Sequence, residues 1–60
     1  MKRGDKIRTI YGDIETVMDI EESRIITYES AQKNSWWHPS KVTPVFYAEN
    51  LKKYITIPID

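Results

Sequence analysis

The sequence predicts an all-β fold. Three observations carry that expectation. Nine Ile, three Val and five Thr stand against one Leu and two Ala, an inventory stiff at χ1 that suits pleated strands better than helices. Between residues 13 and 22 the alternation is explicit, with Ile14, Thr16, Met18 and Ile20 pointing one way and Glu15, Val17, Asp19 and Glu21 the other. Breaks at Gly12 and Asp13, at Glu21 to Ser23 and at Pro39 leave room for short elements only.

The first strand is expected over 6–11, where Ile7, Thr9 and Tyr11 oppose Arg8 and Ile10. Gly12 and Asp13 then form a tight hairpin into the second strand over 13–22. A third strand is read over 24–30, placing Ile26 and Tyr28 on one side and Ile25, Thr27 and Glu29 on the other. The polar segment 31–34 has no periodicity and reads as a loop that brings 35–38 back as a fourth short strand. Pro39 closes that run and opens a single 3₁₀ turn over 39–42, where its missing N–H does no harm. A fifth strand is expected over 43–47. Segment 48–53 holds Ala, Glu, Leu and two Lys and predicts a turn or a helix too short to be stable alone. The end, 54–59, predicts an additional C-terminal edge strand with Ile55, Ile57 and Ile59 on one face, because Pro58 cannot donate to a ladder.

Sixty residues form one domain with a single core. The core expected from this pattern is Ile7, Ile14, Met18, Ile20, Ile26, Tyr28, Trp37, Val42 and Val45. Ile10, Val17, Ile25, Trp36, Phe46, Ile55, Ile57 and Ile59 then remain as apolar surface, and self-association or a protein partner is expected to cover part of it. Nine Lys and Arg against nine Asp and Glu give zero formal net charge, so no excess of positive charge draws the chain to nucleic acid or anionic lipid. The absence of Cys excludes a disulfide framework and a thiolate metal site and fits a reducing compartment. No apolar run approaches the roughly 20 residues of a spanning helix, and the start Met1, Lys2, Arg3, Gly4 lacks the apolar stretch of a secretory signal. No membrane association and a cytoplasmic location are expected.

Strand order with one turn before the fifth strand resembles the SH3-like small barrels. Trp36 and Trp37 followed by Pro39, Ser40, Lys41, Val42, Thr43, Pro44 and Val45 resemble the paired tryptophans and the Pro-Ser-Asn-Tyr-Val segment of SH3 domains. Here only His38 separates the two features, and the long loop between the first two strands is reduced to Gly12 and Asp13. The opening Gly4, Asp5, Lys6, Ile7 and Arg8, with the later Gly12 to Val17 and Arg24 to Ile26, is similar to KOW-type barrels. Together these resemblances span roughly 4–46 and imply a five-stranded SH3-like barrel, KOW-like in its first half. Free-standing barrels of this size also resemble accessory proteins of phages and plasmids. At the level of fold this implies a binding module.

Catalytic patterns are scarce. His38 is the single histidine, and no spacing brings carboxylates to it as metal ligands. Ser23, Ser30, Ser35 and Ser40 sit at turns or strand ends without an acid and oxyanion hole arranged around them. Glu21 and Glu22 face opposite sides of a strand, and the two glycines Gly4 and Gly12 cannot cradle a phosphate. No enzymatic activity, cofactor or metal is therefore expected. Seven aromatic residues are the most suggestive feature. Neighbouring tryptophans on a strand point opposite ways, so one of Trp36 and Trp37 belongs to the core and the other to the surface. The expected partner-binding set is Trp36, Trp37, His38, Lys41, Tyr47, Ile55 and Ile57. The alternative is a nucleic-acid-binding domain using Lys2, Arg3, Lys6 and Arg8.

Overall fold

Strand β1 (Lys6–Thr9) lies at the middle of the molecule because its two faces are both occupied: Ile7 and Thr9 are buried while Lys6 and Arg8 are half-buried. It pairs antiparallel with β2 (Ile14–Glu21) on one side and β4 (Val42–Ala48) on the other. β3 (Arg24–Thr27) continues the sheet beyond β2, and β5 (Lys53–Thr56) beyond β4. The computed structural model describes residues 1–57, and in it the chain is all-β with one five-stranded antiparallel sheet of order β3-β2-β1-β4-β5. The sheet is open, with β3 at one edge and β5 at the other. A helix α1 (Tyr28–Gln32) and one 3₁₀ turn (Pro39–Lys41) complete it.

Several boundaries differ from expectation, each for a local reason. β1 stops at Thr9 rather than Tyr11, because Thr9 organises the turn. Its carbonyl accepts from Gly12 N–H at 2.9 Å, and its Oγ1 accepts from the N–H groups of Tyr11 and Asp13. Gly12 sits at φ 87°, the left-handed region that suits a residue without Cβ. The third strand ends at Thr27 instead of running to residue 30, and residues 31 and 32, read as loop, are helical. Thr27 is an N-cap: its Oγ1 accepts from Ser30 N–H at 2.9 Å while Ser30 Oγ accepts from Thr27 N–H at 2.9 Å. This capping box gives acceptors to the N–H groups of Ser30 and Thr27 and diverts the chain from the strand.

The fourth strand expected over 35–38 is reduced to a single bridge, Trp37 to Ile25, with two backbone hydrogen bonds of 2.8 Å. The 3₁₀ turn occurs where expected, one residue shorter. Segment 49–52 is a turn, closed by Leu51 N–H to Ala48 and Lys52 N–H to Glu49. β5 runs over 53–56 and so covers 54–56 of the C-terminal strand read over 54–59; Ile57 lies just past it, and Pro58 and Ile59 lie outside the described residues. Pro44 is tolerated inside β4 because its carbonyl accepts from Ile57 N–H at 3.1 Å. Its nitrogen therefore faces the same side, toward the edge of the sheet and away from β1, so the missing N–H takes no hydrogen bond from the β1–β4 ladder.

The core corrects the face assignment of β2. Ile7, Val17, Ile25 and Val42 form the buried cluster, with Trp37 packed against it. Val17 is buried and Ile14 and Met18 only half-buried, the reverse of the alternation reading. Glu15 shares its face with Ile7, its partner across the ladder. A bulge between Val17 and Asp19 then shifts the register, so that Ile20 faces Ile25. Ile20 lies near the sheet's end and stays 40% exposed. Ile26 is half-buried and Tyr28 exposed, Tyr28 having left the strand for the helix. Ile7, Val42 and Val45 are buried as expected.

Candidate functional site

Trp37 and Trp36 divide as adjacent strand residues should. The bridge to Ile25 turns Trp37 toward the core, where it is half-buried. Its indole N–H donates to Glu15 Oε1 at 3.0 Å, and the same oxygen accepts from Thr27 Oγ1 at 2.6 Å. A half-buried carboxylate at the margin of the core is tolerable because these two donors meet it. Tyr11 stands beside Trp37 with ring centroids 6.1 Å apart. Trp36 points outward and is 45% exposed, with the Arg24 guanidinium carbon 5.0 Å from its ring centroid.

Between the two indoles and α1 lies a cleft of about 100 Å³. Glu15, Glu29, Lys33, Trp36 and Trp37 contribute to its lining. Glu29 is placed by a substitution of partners: Thr16 N–H points away from β1 toward the position where β3 has already become helix. There Glu29 Oε1 accepts from it at 3.3 Å. Lys33 follows α1 as its C-cap. The glutamates were absent from the sequence-derived set because their spacing, Glu15 and Glu29, signals nothing until β2 and α1 are packed together.

The rest of the expected partner set falls elsewhere. His38 Nδ1 accepts from Ser40 N–H at 3.2 Å and lies 2.8 Å from Ser40 Oγ, so the ring caps the 3₁₀ turn. Lys41 ends that turn and is exposed. Tyr47 and Ile55 belong to the β4–β5 hairpin at the other side of the sheet. Tyr47 pairs with Tyr54 and Phe46 with Ile55, so Tyr47 and Ile55 occupy opposite faces. Tyr47 and Tyr54 meet edge to face at 5.2 Å. Ile57 is exposed just past the end of β5, where its N–H donates to the Pro44 carbonyl.

Of the four cationic residues in the alternative set, three have their heads engaged, Arg3, Lys6 and Arg8. Lys6 Nζ donates to Thr16 Oγ1, and Arg8 Nη2 to the Tyr54 carbonyl at 3.1 Å. Lys2 and Arg3 are exposed and line an open groove of about 510 Å³ together with Met18, Asp19 and Ile20. Arg3 Nε donates to the Tyr28 hydroxyl at 3.4 Å, and that contact holds the guanidinium above its ordinary pKa. Among the described residues no group of three or more His, Asp or Glu is placed to hold a metal ion, and no helix is long and apolar enough to cross a membrane. Comparison of the chain with protein-family models, with curated proteins and with solved structures finds no match.

Proposed function

We propose that this chain is a small non-enzymatic binding module, an opened SH3-like barrel that acts by docking a protein. The barrel reading draws support from three features: a central β1 flanked by β2 and β4, Trp37 bridged to the β3 edge, and one 3₁₀ turn leading into β4. The observation that carries the docking reading is where the large apolar side chains lie. Six hydrophobic residues are buried among the described ones, while Trp36, Phe46, Tyr47, Leu51 and Ile57 stay exposed. Aromatic groups held rigidly on strands expose area at low entropic cost and are enriched in protein interfaces. Zero net charge and the internal engagement of Lys6 and Arg8 favour a protein over nucleic acid. The lack of cysteine is compatible with work in the cytoplasm.

Affinity capture from the source cell tests the reading, with wild-type, Trp36→Ala and Phe46→Ser baits compared by mass spectrometry. A protein retained by the wild type and lost from either variant is the expected result. A parallel titration with DNA and RNA at about 50 mM salt, where phosphate contacts are strong, should leave Trp fluorescence unchanged. Quenching there that reverses with salt, with no protein captured, would replace the proposal by nucleic-acid binding through Lys2 and Arg3.

A further inference from the structure

The chemistry of the cleft beside the tryptophans specifies a ligand group more narrowly than exposed apolar area does. We infer that it receives the guanidinium of an arginine side chain from the partner, an inference that rests on the protein-docking reading above. Size comes first. The cleft, about 100 Å³ and partly open to solvent, exceeds what a single water needs and has room for a side-chain head entering from outside.

Charge comes next. Glu15 and Glu29 both line the cleft, against one ammonium, that of Lys33. The two hydrogen bonds that Glu15 accepts both end on Oε1, so Oε2 is the acceptor left for a ligand donor. Glu29 likewise uses Oε1 for Thr16 N–H. Two carboxylates beside two indoles make a site for a cation with an extended face. Arginine fits better than lysine, because a guanidinium is planar, weakly hydrated, stacks on aromatic rings and offers donors in a fork that carboxylates match. Trp36 already receives one guanidinium, with Arg24 Cζ 5.0 Å from its centroid.

The test is a titration of the full chain with L-argininamide at low salt, read by ¹H–¹⁵N NMR at the two indole N–H groups and at the amides of Glu15, Glu29 and Lys33. L-citrullinamide, the neutral isostere, serves as control. Saturable shifts centred on these groups are expected with argininamide and none with citrullinamide. Glu29→Gln keeps the acceptor for Thr16 and removes one charge, and should weaken binding roughly 3–5-fold. Trp36→Ala should weaken it about 2–5-fold by loss of the ring. Lys33→Ala carries the most information, since removing the cleft's own cation should tighten binding by about 2–5-fold, whereas a site built on apolar stacking alone would not respond. Equal response to both amides, no saturable shift, or weaker binding in Lys33→Ala would overturn the inference. Should the titration fail while Trp36→Ala still abolishes protein capture, the guanidinium assignment falls and the docking reading stands. Saturable binding with capture indifferent to both Trp36→Ala and Phe46→Ser would remove the docking reading and the proposed partner with it.

Discussion

Trp37 and Glu15, 22 positions apart in the chain, are joined by an indole N–H to carboxylate hydrogen bond of 3.0 Å. The bond ties the segment before the 3₁₀ turn to β2, across the β3 strand that Trp37 also bridges. With Thr27 donating to the same oxygen, one carboxylate satisfies two polar groups at the margin of the core.

Glu15→Ala therefore strands two donors. The expected cost is about 1–3 kcal/mol, and in a domain this small each 1 kcal/mol lowers the melting temperature by about 4–8 °C. Glu15→Gln retains an acceptor oxygen and should cost under about 1 kcal/mol. Thermal melts followed by circular dichroism separate the two. Equal destabilisation by both variants would show that the negative charge, rather than the acceptor, is what matters.

Thr27 is fully buried and has two tasks, capping α1 and donating to Glu15. Thr27→Ser preserves the hydroxyl and should lose roughly 1 kcal/mol, the worth of one buried methyl. Thr27→Val preserves shape while removing both hydrogen bonds, and an N-cap loss alone costs about 0.5–2 kcal/mol. Urea unfolding should rank wild type above Thr27→Ser above Thr27→Val. The reverse order of the two variants would mean that packing outweighs the cap.

Ile25 and Ile20 oppose each other across the β2–β3 ladder, yet they differ in burial at 5% and 40% exposed. Ile25→Ala is expected to cost about 2–5 kcal/mol, as for a buried aliphatic residue. Ile20→Ala should cost less than about 1 kcal/mol. Similar midpoints for the two variants in urea would contradict this assignment of the core.

The same pair shows how far the fold was legible. Strand content, the antiparallel β1–β2 hairpin and the 3₁₀ turn followed from residue type and from Pro39, since β-branched residues and proline act locally. The inward face of β2 did not. Glu15 looks outward to any count of apolar positions, and its inward placement depends on Trp37 and Thr27, which are distant in sequence. The bulge at Met18 then reverses the phase for Ile20. The helix after Thr27 had a signal in Thr27 and Ser30 three residues apart, but a β-rich context of Arg24 to Thr27 masked it. Trp36 and Trp37 were legible as an inward and outward pair. Their acidic neighbours were not, because Glu15 and Glu29 come together only when the sheet and α1 pack.

Lys52 closes the β4–β5 turn at φ 54°, where a Cβ crowds the backbone. Lys52→Gly removes that penalty of about 1–2 kcal/mol and adds unfolded-state entropy of about 0.5–1 kcal/mol. The net expectation is a gain of up to about 1.5 kcal/mol, seen as a higher urea midpoint. A lower midpoint would mean that the lysine side chain makes a stabilising contact that outweighs its backbone strain.

Arg8 decides whether the sheet's basic residues are structural or free to bind. Its guanidinium extends from β1 past β4 to the Tyr54 carbonyl in β5, while register places its face with Thr43 and Ile14. β5 is an edge strand held on one side by β4 alone, so a tether from β1 supplies a second attachment. Arg8→Ala should accordingly loosen β5 before anything else. Hydrogen exchange is expected to show faster exchange at Ile55 and at Ile57, whose N–H bonds Pro44, with the amides of β1 and β2 little changed. Arg8→Lys keeps the charge but not the reach and geometry of the fork, and should behave more like the alanine variant than the wild type. Were Arg8 instead a phosphate contact, both variants would leave β5 protection intact. Salt-dependent affinity for DNA or RNA would then fall in the alanine variant and survive in the lysine one.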